Sequence, residues 1–147
     1  MDVTIRPPHF SDRESWEELF LAYQKFYRAR VSDEIIDHTW ERIHDPESEV
    51  WGLVAERDGT LIGITHFLYH ASTWADRPSC YLEDLFVSKA ARGSGAARKL
   101  IEGVETVAKE HGAFRLYLHT QEFNSAARSL YDTLMPRSSF IVYRKGL

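Results

Sequence analysis

From Trp16 onward the apolar side chains fall at helical spacing. Trp16, Leu19, Phe20, Tyr23, Phe26 and Tyr27 share one face, which predicts a helix of about five turns. Ahead of it, Ser11-Asp12-Arg13-Glu14 has the S-x-x-E form of a capping box, and residues 3–6 read as a short strand stopped by Pro7-Pro8. A second helix is predicted to open at Ser32, where Asp33 and Glu34 complement the positive end of its dipole. It buries Ile35, Ile36, Trp40 and Ile43 and stops before Pro46. The pattern then changes period. Residues 50–57 and 61–69 are β-rich runs flanking Asp58-Gly59, a strong hairpin signal. A turn-rich loop over 71–79 leads to another strand, 81–87, which carries the adjacent acids Glu83 and Asp84. A basic, glycine-containing turn follows, then a helix over 96–111 ended by Gly112. Next come a strand over 114–120, a short helix over 125–134 and a final strand over 140–144. A hairpin followed by strand, turn, helix and strand predicts an α/β fold: a single mixed, mostly antiparallel β-sheet flanked by helices.

Composition narrows the classes. A chain of 147 residues suits one domain spanning 1–147, and 44% apolar with 27% charged residues is ordinary for a globular protein. Apolar runs are too short to span a membrane, and the opening Met1-Asp2-Val3-Thr4-Ile5-Arg6 lacks the basic and apolar stretches of a secretory signal. The single cysteine, Cys80, cannot form an internal disulfide, so a cytoplasmic location is expected. Eighteen Lys+Arg against 22 Asp+Glu give a net charge of −4, which offers no basic face for nucleic acid and mildly favours a cationic small substrate. Among the seven histidines, His66 and His70 share a strand face, but they are ~13 Å apart at the strand rise, too far to share an ion. No metal is expected.

The segment joining the strand to the third helix carries the chemistry. Residues 93–97 are all small, and backbone N–H groups at a helix start are unpaired and converge, with the helix dipole adding positive potential. Glycines let phosphate oxygens approach such a place, and Arg92 supplies a formal charge. No Gly-Lys-Ser/Thr follows, and Gly93-Ser94-Gly95-Ala96-Ala97-Arg98 lacks the third glycine of a dinucleotide fingerprint. Taken alone, the segment has a second, weaker explanation as a tight strand-to-helix turn.

Arg92-x-x-Gly95-x-Ala97, directly after Leu85-Phe86-Val87, resembles the acetyl-CoA pyrophosphate motif Q/R-x-x-G-x-G/A of the GNAT superfamily of N-acetyltransferases. Asn124-x-x-Ala127-x-x-Leu130-Tyr131 resembles that superfamily's second signature, and the order of elements fits over almost the whole chain. Glu83-Asp84-Leu85-Phe86-Val87 and Ile5-Arg6-Pro7 are most similar to the spermidine/spermine and thialysine branch and the histone/polyamine type. The resemblance implies acetyl-CoA as cosubstrate. Leu85, Phe86 and Val87 would then offer backbone groups to the pantetheine arm. Arg92, Gly93, Ser94, Gly95, Ala96 and Ala97 would wrap the pyrophosphate, with Arg98 adjacent. Asn124 would contact the cofactor with Ala127 close by, Tyr131 would be the general acid, and Glu83 would be a base beside the substrate. The polyamine branch carries an acid late in its first helix where this chain reads Lys25-Phe26-Tyr27, which counts against a polyamine. Tyr23, Phe26 and Tyr27 are read either as core packing or as the wall of an amine pocket, with Trp74 nearby. The family also implies a homodimer formed around the C-terminal strand.

The reaction sets its own demands. An alkylamine with a pKa of ~10.4 is mostly protonated at neutral pH, so a carboxylate must accept its proton. Glu83 and Asp84 project to opposite faces of a regular strand unless a bulge intervenes. A strand N–H freed by a bulge near residues 85–87 would steady the developing oxyanion, and a tyrosine would protonate the leaving thiolate. Cys80 lies outside both motifs and no G-x-S-x-G occurs, so direct transfer in a ternary complex is expected. The expected function is transfer of acetyl to a primary amine of a small molecule. The alternatives are a protein lysine or N-terminal acetyltransferase, or a non-catalytic acyl-CoA sensor.

Overall fold

A computed structural model describes residues 2–147. Its centre is one five-stranded sheet in the order β1-β2-β3-β4-β5, formed by β1 (Thr4–Arg6), β2 (Val50–Arg57), β3 (Thr60–His70), β4 (Ser79–Val87) and β5 (Arg115–Leu118). The first four strands pair antiparallel and β4 pairs parallel with β5, so the mixed, mostly antiparallel sheet read from the sequence is the one present. The hairpin between β2 and β3 turns at Asp58 and Gly59, both with positive φ, the geometry that matches strand twist.

Two helices cover one face of the sheet. α1 (Arg13–Phe26) and α2 (Asp33–His44) bury Trp16, Leu19, Phe20, Ile36 and Trp40 against Val54, Leu61 and Ile64. On the other face α3 (Ala96–Glu110) lays Leu100, Ile101, Val104 and Ala108 over Leu53, Ala55, Ile62, Phe67 and Leu82. α4 (Ser125–Leu134) adds Leu130, Tyr131 and Leu134 to its margin. A Cβ at Gly103 would stand 2.9 Å from Ile5 Cγ2, so this glycine is what lets α3 approach the edge strand.

Several boundaries depart from the sequence pattern. Ser32 does cap α2, accepting a hydrogen bond from the Ile35 N–H. The S-x-x-E box does not open α1. Asp12, drawn to Arg6 and to the His9 N–H, closes a 3-10 turn over Phe10–Asp12 that runs into the helix at Arg13. β5 stops at Leu118, two residues short of expectation, because its partner strand bulges just beyond Leu82. The expected final strand at 140–144 does not form. That segment pairs with no other part of the described chain, and Phe140, Ile141 and Tyr143 are 89%, 76% and 90% exposed. Its β-propensity is real, but a lone strand without a partner leaves its backbone groups to water. No described helix is long and apolar enough to cross a membrane.

Candidate active site

The site begins with one extra residue. Opposite β3, His66 pairs with Asp84 and Phe67 with Leu82, so Glu83 is left over as a bulge. A regular strand would send Glu83 and Asp84 to opposite faces, whereas here both line one open cleft of about 2320 Å³. β4 and β5 pair only from Ser79 to Leu82, so Glu83 to Val87 have no strand on their β5 side. That gap splits the sheet and floors the cleft. The irregularity lies at Glu83 and not at residues 85–87, which pair regularly with Thr65, Ile64 and Gly63. An N–H freed by distortion there is therefore not present; what Leu85, Phe86 and Val87 offer is the open strand edge. Their side chains are used in packing, Leu85 and Val87 toward α3 and Phe86 toward α1.

Asp84 is held by a chain reaching into the core. The Trp16 Nε1–H donates to His66 Nε2 at 2.9 Å, and His66 Nδ1 lies 2.9 Å from Asp84 Oδ2. An indole nitrogen only donates, so Nε2 is the acceptor and the ring proton sits on Nδ1, directed at the carboxylate. His66 is 3% exposed and is wedged edge-on against Phe20, which fixes the ring. The Thr65 hydroxyl donates to the Asp84 carbonyl at 2.7 Å and pins the backbone as well. Glu83 has no such partner. Its side chain protrudes, but the cleft walls displace enough water to raise its carboxyl above the usual range, and the Asp84 charge adds to this while Arg42 opposes it. Adjacent carboxylates in such unequal surroundings are suited to different roles: one fixed by a donor, the other free to take a proton.

Three tyrosines face these acids. Tyr23 and Tyr27 of α1 pack edge to face, and both line the cleft with Tyr131 of α4. Burial pushes the Tyr131 hydroxyl up to about 12, with Tyr27 adding, and that hydroxyl makes no hydrogen bond to any described residue. It is thus a protonated and uncommitted donor. Burial, and then the Asp84 charge, keep Tyr23 protonated above the usual phenol range. Phe26 does not join them. It sits in the last turn of α1, about 60° round from Tyr23, and is 54% exposed outside the cleft. Trp74 reaches the cleft rim from the β3–β4 loop.

At the start of α3, Gly93 and Gly95 have φ of +84° and +82°, and nothing lies within 4 Å of where a Cβ would project from either. The Ser94 N–H is spent on the Ala91 carbonyl, and the Ala96 N–H meets Ser94 Oγ at 3.3 Å. The amides of Gly93, Gly95, Ala97 and Arg98 have no acceptor among the described residues. Arg92 is exposed without an ion-pair partner, whereas Arg98 is tied to Thr133 Oγ1 of α4 at 2.8 Å. Asn124 caps α4, its side chain accepting from the Ala127 N–H at 3.3 Å, so its carbonyl oxygen is already engaged.

Sequence reasoning missed Trp16, His66 and Asp84 as a unit. Trp16 and His66 lie 50 residues apart and His66 and Asp84 18 apart, so no spacing links them. Because Leu61 to Phe67 are all buried, no alternation showed which way His66 faces. A histidine within an otherwise apolar strand, one strand ahead of a two-acid strand, was the one available hint.

The Acetyltransferase (GNAT) family matches residues 16–134. D-amino-acid N-acetyltransferase HPA3 of Saccharomyces cerevisiae is 33% identical over 146 residues, covering 98% of this chain and 91% of that protein. Thialysine N-epsilon-acetyltransferase of Bos taurus is 39% identical over 90 residues, covering 59% and 51%. Among solved structures, AAC(6')-Iy in complex with a CoA-S-monomethyl-acetylneamine bisubstrate analogue superposes with a TM-score of 0.83 at 22% identity, over the whole of both chains. The split sheet, the bulged acidic strand and the glycine-capped helix start thus occur in a chain that belongs to the GNAT acetyltransferase family and is an N-acetyltransferase.

Proposed function

We propose that the protein transfers an acetyl group from acetyl-CoA to a primary amine of a small molecule, directly and within a ternary complex. The observation that carries this reading is the parting of β4 and β5 after Leu82, which brings two unlike carboxylates and the Tyr131 hydroxyl to one opening. The relatives' names support a small amine acceptor, since one is called a D-amino-acid and the other a thialysine acetyltransferase.

The residues at the helix start fit the cosubstrate. Unpaired amides at Gly93, Gly95 and Ala97, with open space above both glycines, form a concave donor surface for a diphosphate, and Arg92 adds charge. When bound, acetyl-CoA supplies the activated acetyl group. Asp84, held by His66, anchors the incoming ammonium in one orientation. Glu83 accepts its proton, directly or through water, which its raised carboxyl favours. Only about one alkylamine in 10³ is neutral at pH 7, so this proton acceptance is needed at every turnover. The Tyr131 hydroxyl gives its proton to the departing sulfur.

Radiolabelled acetyl-CoA mixed with the protein and an amine panel tests the reading. Label should pass to an amine, and none should remain on the protein after denaturation. Retained label would establish an acyl-enzyme, and absence of transfer would leave a CoA-binding sensor. A peptide acceptor is the second reading, favoured by the size of the cleft, which exceeds the ~300–1,000 Å³ usual for small ligands. Peptides in the same panel separate the two. We further propose a homodimer in which the apolar segment Phe140-Ile141-Val142-Tyr143, without a strand partner within its own chain, pairs with a second copy. Light scattering should then give twice the chain mass, falling to the monomer when the chain is truncated after Arg137.

A further inference from the structure

We infer that the cleft holds a carboxylate-binding subsite built by Gln24 and Arg42, so that the acceptor is an amine that also bears a carboxylate, an amino-acid-like molecule. The inference rests on the reading of this cleft as the amine site. It starts from donors that have no acceptor. Gln24, 5% exposed, lines the cleft from α1, and its Oε1 accepts the Val31 N–H at 2.9 Å. That bond fixes the amide orientation, because a backbone N–H requires the oxygen to face it, so the Nε2 group is turned elsewhere. Nε2 is buried and has no hydrogen-bond partner among the described residues. On α2, Arg42 also lines the cleft. Its one recorded hydrogen bond runs from Nη2 to Thr39 Oγ1 at 3.3 Å, and its buried Nε has no partner.

No carboxylate of the described chain lies within ion-pair distance of Arg42. A half-buried guanidinium left unneutralised is costly unless a ligand completes it, and its planar fork matches a carboxylate. Arg42 and Glu83 line the same cleft, and the Arg42 charge acts on the Glu83 carboxyl. Of the other arginines lining the cleft, Arg115 donates to Ser79 Oγ and Arg128 to the Glu122 carbonyl, while Arg137 and Arg144 lie on the exposed C-terminal segment. The site therefore offers two anionic groups for an ammonium and, alongside them, unspent donors for an anion. A simple alkylamine would leave those donors empty; an amino acid fills both sets.

The test uses matched acceptors differing only in the carboxylate: phenylalanine of either hand against phenethylamine, and lysine against cadaverine. In the wild-type protein the carboxylate-bearing member of at least one pair should have a kcat/KM about 10- to 100-fold higher, the range expected for a charge-assisted contact. Arg42→Met should bring that preference to within about 2-fold, mainly through the KM of the carboxylate-bearing member; because the Arg42 charge also acts on Glu83, the diagnostic quantity is the ratio within each pair. Gln24→Glu keeps an acceptor for Val31 but replaces a donor with an anion, and should abolish the preference as well. Equal use of both members by the wild type, or an equal loss for both in Arg42→Met, would overturn the subsite. If no amine is acetylated at all, the enzyme reading fails separately. Calorimetric titration of the same pairs with coenzyme A present then still decides: tighter binding of the carboxylate member, lost in Arg42→Met, upholds the subsite, and indifference removes it.

Discussion

Replacing His66 with leucine is expected to destabilise the fold by about 2–4 kcal/mol and to lower kcat/KM for the amine about tenfold. The stability cost has two sources. Trp16, 1% exposed, loses the acceptor for its indole N–H, and an unsatisfied buried donor costs about 1–3 kcal/mol. The packing around Phe20 is disturbed as well, since a branched aliphatic side chain does not reproduce the flat edge of the imidazole. For a chain of this size each kcal/mol moves Tm by roughly 2–4 °C, so a fall of about 4–16 °C should appear in a thermal melt. Activity falls because Asp84 loses the N–H that orients it. His66→Gln separates the two roles from mere volume: its amide can accept from Trp16 and donate to Asp84, and should recover most of both properties. An unaltered melting temperature in His66→Leu would mean that the chain from Trp16 to Asp84 carries no weight.

Tyr131→Phe is expected to lower kcat roughly 10²-fold, within the range of about 10²–10⁴ for a positioned general acid, with affinity for coenzyme A retained. The phenol is pushed up to about 12, so it stays protonated through the physiological range and sets no alkaline limit there. The acid limb belongs to Glu83. A base works deprotonated, so the rate falls as pH drops through its pKa, and that fall should come above the usual carboxylate range because burial raises it. Glu83→Gln should remove that limb and leave only the rise caused by deprotonation of the amine itself. Unchanged turnover in Tyr131→Phe would take the tyrosine out of the reaction.

Local signals were read well and pairings across the chain were not. The Asp58-Gly59 hairpin, the Ser32 cap and the glycines before α3 each declare themselves in a few residues, because turn and cap chemistry is local. The bulge at Glu83 is invisible in sequence: one extra residue in β4 is defined only by counting against β3. That single residue decides whether two carboxylates share a cleft. The Phe140 segment has the composition of a strand, but composition cannot say whether a partner exists, and within this chain none does. The helical stripe that joins Phe26 to Tyr23 and Tyr27 has no end visible in sequence; in the fold Phe26 packs edge-on against Tyr27 but lies outside the cleft.

The account depends most on the amides at the start of α3. Crystals of the protein grown with coenzyme A test this directly. The diphosphate should lie in the turn, with its oxygens within hydrogen-bonding distance of the Gly93, Gly95 and Ala97 N–H groups. A diphosphate seated elsewhere, or those three amides found bonded to the chain's own carbonyls, would contradict it.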